Sequence, residues 1–335
     1  MNETANRHIE REQRLASERI ATLGRYLLRP GTGVLLALLV LSGVFTSLSP
    51  YFLKLPNLQN IALQSAVNII TATGMTFVIG SSGIDLSVGS GIALTGVVMA
   101  LGVKLGLPSI PAILVGLVAG AAIGSVNGLI IGRVRINPFI VTLAMEGVAR
   151  ALALIITGAR PIYGMPPFFR SLGIGKIGPL PTATVLALSI AVIGYVLLGR
   201  TRFGRHVLAV GGNEEAARLY GVNVPRVKLK VYALAGVCYA IAAIIVTSRL
   251  NTAEPIAGYL AEMDAISATV IGGTAFVGGI ATLPGTVMGA LIIAVLRNGL
   301  TLLSVQPYYQ QLTIGIVIVA AVFLDQLRRR KGEEV

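Results

Sequence analysis

Charge is what this sequence has least of. Only 12% of its 335 residues are charged, about half the share usual in a soluble domain, while 54% are hydrophobic. Long polar stretches are missing too. The longest interval between apolar runs, 200–230, is far smaller than a domain, so a soluble catalytic domain is excluded. Cysteine occurs once, as Cys238 in an apolar run, which rules out an intrachain disulfide and leaves no thiolate cluster for a metal. Histidine occurs twice. His8 and His206 both stand in polar segments with no acidic partner beside them, so each reads as solvated surface. There is neither a G-x-x-x-x-G-K-[ST] loop nor a G-x-G-x-x-G after a strand. Energy from a nucleotide would have to reach this chain through another one. No catalytic residue and no metal ligand set is assigned.

What is present is a series of apolar runs of bilayer-spanning length from residue 33 to residue 324, which defines an all-α integral membrane protein. The net charge of +13 raises the question of nucleic acid, and its placement answers it. Six arginines lie in 1–30, Arg133 and Arg135 stand together, seven basic residues lie in 200–230, and four close the chain at 328–331. All four groups flank membrane edges, with Tyr26, Phe203 and Tyr220 the only aromatics among them. They fit the positive-inside rule, not a nucleic-acid surface. A cleaved leader is the alternative for the N-terminus, but 33–53 exceeds a leader's apolar core and many spans follow.

About ten transmembrane helices result: 33–53, 58–80, 86–103, 110–132, 139–157, 181–198, 231–247, one beginning near 265, 286–303 and 310–324. An even number puts both termini inside, with 1–30 as a cytoplasmic N-terminal segment, 31–327 as the transmembrane domain, and 328–335 as a cytoplasmic tail. Arg160, Arg170 and Lys176 run against this orientation, since their Gly- and Pro-rich loop falls outside. From Ile61 to Val103 the one ionisable residue is Asp85, set among glycines and serines in Gly80-Ser-Ser-Gly-Ile-Asp-Leu-Ser-Val-Gly-Ser-Gly91. That run is twice a span, so the polar stretch is a helix break, tolerated only inside protein or beside water. Gly272 to Gly285 forms a second break. Val78-Ile-Gly80 and Gly96-x-Val-Met99 around the first resemble Val270-Ile-Gly272 and Gly285-x-Val-Met288 around the second, the mark of a two-halved internal pseudo-repeat. Chance similarity among small residues is the alternative.

Within 200–230, Asn213-Glu-Glu-Ala-Ala-Arg-Leu-Tyr-Gly221 reads as a short capped helix. Asn213 is the N-cap, Glu214 and Glu215 meet the positive end of the dipole, and Gly221 takes the left-handed C′ position. Two turns are not stable alone, so the helix is either a packed connector or docks on a partner. Elsewhere, Glu146 and Arg150 share a helix face and read as a structural ion pair. Asn68, Asn127 and Thr142 offer hydrogen bonds either to a polar cargo or between helices. Arg297 and Asn298 sit at a membrane edge or on a path.

Glu215-Ala-Ala-x-x-x-Gly221 is similar to the coupling-loop motif of ABC importer permeases. Gly83-Ile-Asp-Leu-Ser-Val-Gly-Ser90, Asn137-Pro-Phe-Ile-Val-Thr-Leu143, Thr201-x-Phe-Gly-Arg205 leading to Gly211-Gly-Asn213, and Val270-Ile-Gly-Gly-Thr274 with Gly285-Thr286 resemble the ribose/xylose/galactose-type permease family. These blocks fall in family order over most of 57–325. Ser81-Ser82 in place of Gly-Gly and Phe276-Val277 in place of smaller or more polar residues are departures. The resemblance implies a monosaccharide import permease of the cytoplasmic membrane, paired as a homodimer or with a related permease. Its partners would be a cytoplasmic ATPase, which binds the ATP and Mg, and an extracytoplasmic sugar-binding protein. It assigns ATPase coupling to Asn213, Glu214, Glu215, Ala216, Ala217 and Gly221. Asp85, Ser87, Ser90, Asn68, Asn127, Thr142 and Thr274 are the candidates for the translocation path. Two rivals remain: an ion-coupled secondary transporter using Asp85 and Glu146, and a membrane enzyme using the same carboxylates.

Overall fold

The computed structural model describes residues 32–333. The segment 1–30, His8 with it, and the last two residues of the tail lie outside them. The helices are α1 (Thr32–Leu48), α2 (Leu55–Gly80), α3 (Val88–Lys104), α4 (Ser109–Leu129), α5 (Pro138–Thr157), α6 (Pro167–Ile174), α7 (Thr182–Arg200), α8 (Arg202–Gly212), α9 (Glu214–Leu219), α10 (Val224–Leu250), α11 (Ala261–Ile271), α12 (Leu283–Leu302) and α13 (Pro307–Glu333). A π turn, Ile130–Val134, extends α4. Two antiparallel ladders of two residues each pair β1 (Ile162–Tyr163) with β4 (Thr252–Ala253), and β2 (Lys176–Ile177) with β3 (Leu180–Pro181). Among the described residues, α2, α4 with its π turn, α5, α7, α10 and α12 are long and apolar enough to cross a membrane, and α1 and α3 are shorter apolar helices.

Helix α10 is the axis of the bundle. Between Val231 and Ser248 it has no charged and no exposed residue, and α2, α3 and α4 all pack on it. Its neighbours fix their directions. Gly83 lies against Tyr232 and Gly74 against Ala235, so α2 runs antiparallel to α10; Gly91 meets Tyr239 and Gly96 meets Thr247, so α3 runs parallel to it. The first break therefore reverses the chain around α10. The closest approach is with α4 and its π turn, where Gly120, Gly124, Gly128 and Gly132 recur every fourth residue along the face that meets α10, while Gly116, one turn earlier, faces Met99 of α3. A Cβ at Gly120 would stand 2.7 Å from the Ala240 Cβ, and one at Gly128 2.7 Å from the Leu229 Cα. Small residues let two membrane helices meet backbone to backbone. The i, i+4 spacing of these glycines is legible in the sequence.

Three expectations change. The interval 158–179 is a built unit, not a plain loop: α6 packs on α10, and Ser248 Oγ donates to the Phe169 carbonyl at 2.6 Å. The second break also differs from the first. α11 has only 11 residues, and the chain turns back after 272–282 so that α12 packs against α11. A methyl on Gly272 would press on Gly285, and one on Gly285 would press on Gly272. The helices that flank the two breaks are thus unequal in length. Finally, Lys228, counted above with the water-facing basic residues, lies inside the second turn of α10 and is 3% exposed.

Candidate functional site

The first break begins where Gly80 ends α2. Ser82 has φ 56°, a left-handed turn that lets Gly83 N donate to the Val78 carbonyl at 3.0 Å. Any side chain at Gly83 would strike the Tyr232 hydroxyl, which donates to the Ile84 carbonyl at 3.0 Å. The freed carbonyls are thus taken up by α10, with Tyr232 on Ile84 and the Lys228 ammonium on Ser81.

Asp85, Ser87, Ser90, Asn127 and Thr142, five of the seven path candidates, meet here, and all are fully buried. Asp85 Oδ1 accepts from Ser87 N at 2.9 Å and from Ser87 Oγ at 2.5 Å, and Asn127 Nδ2 of α4 donates to Ser87 Oγ at 3.0 Å. Thr142 Oγ1 of α5 reaches the Ile84 carbonyl at 3.4 Å, and Ser90 Oγ donates to the Ser87 carbonyl. A carboxylate at a helix start is expected to cap the first helical N–H groups. Here Ser87 is the N-cap residue of α3 and makes no side-chain cap bond; Asp85 holds Ser87 in place instead. Asp85 Oδ2 and Asn127 Oδ1 have no hydrogen-bond partner. Asn68 and Thr274 belong elsewhere. Asn68 is half-buried, about 18 Å along α2 from Gly80. Thr274 lies in the second break, its hydroxyl accepting from Thr282 N at 3.1 Å.

A prediction follows from the Asp85 contacts. Asp85→Asn retains the oxygen that Ser87 uses and is expected to keep assembly and most of the transport. Asp85→Leu leaves the Ser87 N–H and O–H unpaired in a dry site, at about 1–3 kcal/mol for each group, and should reduce the yield of assembled protein. Size-exclusion profiles and uptake of the two variants check this. A well-assembled but inactive Asp85→Asn would show that the negative charge itself is used.

The exterior helix α9 matches its sequence reading at both ends. Asn213 Oδ1 accepts from Ala216 N at 2.9 Å, and Glu214 pairs with Arg218 at 3.0 Å. Gly221 has φ 84°; its N–H donates to the Arg218 carbonyl at 3.0 Å and Val222 N to the Ala217 carbonyl at 3.0 Å, the paired bonds of a Schellman ending. Ala217 alone is buried, while Leu219 is 84% and Tyr220 90% exposed. Helix α8, unforeseen, leads into it, with Thr201 Oγ1 accepting from Gly204 N at 3.2 Å at its start. At its other end Gly211 lies against Gly80 and Gly279, and Gly279 N donates to the Gly80 carbonyl at 3.1 Å. Deeper in the bundle, Thr76 and Thr286 share a hydrogen bond of 2.8 Å between α2 and α12.

The remaining candidates are structural in their contacts. Arg150 does not close on Glu146 as an ion pair; its Nη1 donates to the carbonyls of Pro255 at 3.1 Å and Ala257 at 2.8 Å, fastening α5 to the turn before α11. Two main-chain carbonyls thus take the guanidinium in place of the carboxylate. Arg297 chelates Asp264 through Nη2 at 3.0 Å to both oxygens, and Asn298 exchanges two 3.0 Å hydrogen bonds with Asn57.

A bundle of membrane-length helices with two interrupted segments, joined at one end to a capped exterior helix, is the build of a multi-pass membrane permease. The chain belongs to the family described as branched-chain amino acid transport system / permease component, whose model matches residues 57–322. It is 42% identical over 299 residues to the ribose import permease protein RbsC of Escherichia coli K12, covering 88% of this chain and 93% of that one. It is 44% identical over 296 residues to RbsC of Bacillus subtilis 168, covering 88% and 92%. With the D-allose transport system permease protein AlsC of Escherichia coli K12 it shares 39% over 299 residues, covering 89% and 91%. No solved structure matches the chain.

Proposed function

We propose that this chain is the membrane-spanning subunit of an ATP-driven importer of a monosaccharide of the ribose, allose or galactose kind. The observation that carries the reading is the similarity to sugar import permeases over nearly nine-tenths of the chain. In this reading the protein lies in the inner membrane with about ten crossings and both termini cytoplasmic, and works as a pair of permeases, identical or related. A cytoplasmic ATPase binds ATP and Mg, and an extracytoplasmic sugar-binding protein delivers the cargo. Residues 213–221 are the contact with the ATPase. The capped helix supports this, because Leu219 and Tyr220 stand out in water beside Glu214 and Glu215, where a connector would have folded them in. Closure of the ATPase on ATP pushes α9, and the broken helices open the path between paired permeases to one face at a time. Selection rests on the binding protein, so the permease needs no tight sugar site, which would slow release.

The ion-coupled alternative uses Asp85 and Glu146 as ion-handling carboxylates. Against it, Asp85 is hydrogen-bonded to Ser87, and Arg150, one turn from Glu146, donates to the carbonyls of Pro255 and Ala257. The test is reconstitution in liposomes with the ATPase and binding protein, following labelled ribose, allose and galactose. Uptake should persist with a protonophore and stop when ATP is removed. The opposite pattern would sink the proposal and favour ion coupling.

A further inference from the structure

Besides its buried Ala217, the exterior helix α9 is tied to the bundle through the chain on either side of it, and both sides converge on consecutive carbonyls of the first break. On the upstream side, two residues before the Asn213 cap, Gly211 packs its backbone onto the Gly80 carbonyl; a methyl there would overlap that oxygen and stand 2.7 Å from Gly279 N. On the downstream side, Lys228 of α10 donates its ammonium to the Ser81 carbonyl. Glu214, the first residue of α9, lines with Lys228 and Ser82 a cavity of about 220 Å³ between the helix and the break. The second break is tied to the same point, since Gly279 N donates to the Gly80 carbonyl at 3.1 Å, and a Cβ at Gly278 would stand 2.8 Å from Ser82 N.

We infer that Gly211 and Lys228 are the positioning residues through which movement of α9 is delivered to both breaks at once. The inference rests on the reading of α9 as the ATPase contact. The upstream link is two residues long, and successive Cα atoms are held 3.8 Å apart, so it cannot absorb a displacement of α9 by uncoiling. Gly211 acts through backbone contact, so it pushes. Lys228 acts through a charge-assisted hydrogen bond on the other side, so it pulls. Because Gly80 is bonded to Gly279, neither break can shift without the other.

The test uses the reconstituted complex and reads sugar imported per ATP hydrolysed. Gly211→Ala separates the three backbones, and Lys228→Met removes the donor while keeping the length of the side chain. Both should retain the ATPase on purification and keep its basal hydrolysis, while sugar per ATP falls roughly fivefold or more, the range of ordinary coupling between sites. Lys228→Arg should restore most of the ratio. Gly199→Ala, at the end of α7 where a Cβ meets nothing within 4 Å, should not change it. If Gly211→Ala fails to assemble, Lys228→Met decides alone. A wild-type ratio in an assembled Lys228→Met, or an equal fall in Gly199→Ala, overturns the inference. Failure of the unaltered complex to retain the ATPase would instead remove the reading of α9 beneath it.

Discussion

Gly124→Leu is expected to leave no folded permease. A Cβ at this position would already overlap the Tyr232 carbonyl and lie 3.2 Å from the Ala233 Cα, and leucine adds three further carbons. Ordinary overpacking costs about 1–3 kcal/mol because neighbouring side chains move aside. Here the neighbour is backbone, held in the helix that carries the bundle. To admit the side chain, α4 and α10 must separate along their length, giving up the contacts at Gly120, Gly128 and Gly132 together. Detergent extraction followed by size-exclusion chromatography reads the result: a monodisperse peak for wild type, aggregate or no protein for the variant. Gly147→Leu on α5, where a Cβ meets nothing within 4 Å, should behave as wild type. Equal profiles for Gly124→Leu and wild type would mean that the close seam does not exist.

Gly221→Val is expected to separate the permease from its ATPase while leaving the bundle intact. Valine at φ 84° is strained by about 1–3 kcal/mol, enough to undo an ending made of two hydrogen bonds on a helix of six residues. Glu215→Lys reaches the same end by charge, placing a cation at the positive end of the helix dipole. Neither position is buried, and a Cβ at Gly221 meets nothing within 4 Å, so the membrane helices should be unaffected. Co-purification of the ATPase and sugar-stimulated hydrolysis should both be lost, while binding-protein docking at the outer face continues. Wild-type values for both variants would make 213–221 a mere connector.

Those two experiments address features of different legibility. Residues 213–221 could be read from sequence because a cap is local: Asn213, Glu214, Glu215 and Gly221 each act within one turn of the residue that carries the signal. Asp85 was legible for a similar reason, as a carboxylate in an apolar run has to be explained by its immediate surroundings. Its partner was not, since the choice between helical N–H groups and Ser87 depends on how α4 brings Asn127 to the Ser87 hydroxyl. Lys228 escaped because counting charges places every lysine near a membrane edge in water. Only the structure shows that α10 starts seven residues before the span read at 231 and carries this lysine inward to the Ser81 carbonyl. Gly211 escaped because a glycine names no partner; its meaning comes from two segments about 70 and 130 residues away meeting at it, a separation that no local rule spans. The interval 158–179 looked like a loop for its Gly and Pro content, and is ordered by α10, through Ser248, which the sequence does not bring near it.

The glycine seam also has a mechanical side. An α-helix of 27 residues is about 40 Å long. Fused to α4 without intervening side chains, α10 has little room to bend and behaves as a beam. It begins at Val224, separated by four residues from the exterior helix, and is capped at its other end by Asn251, whose carbonyl accepts from Gly164 N at 3.1 Å and whose side chain accepts from Met165 N at 3.0 Å. A tilt of about 5° would carry the far end of such a beam through roughly 3 Å. The loop at one membrane face would then be displaced as soon as the helix at the other is pressed, with no relay of side-chain rearrangements between them.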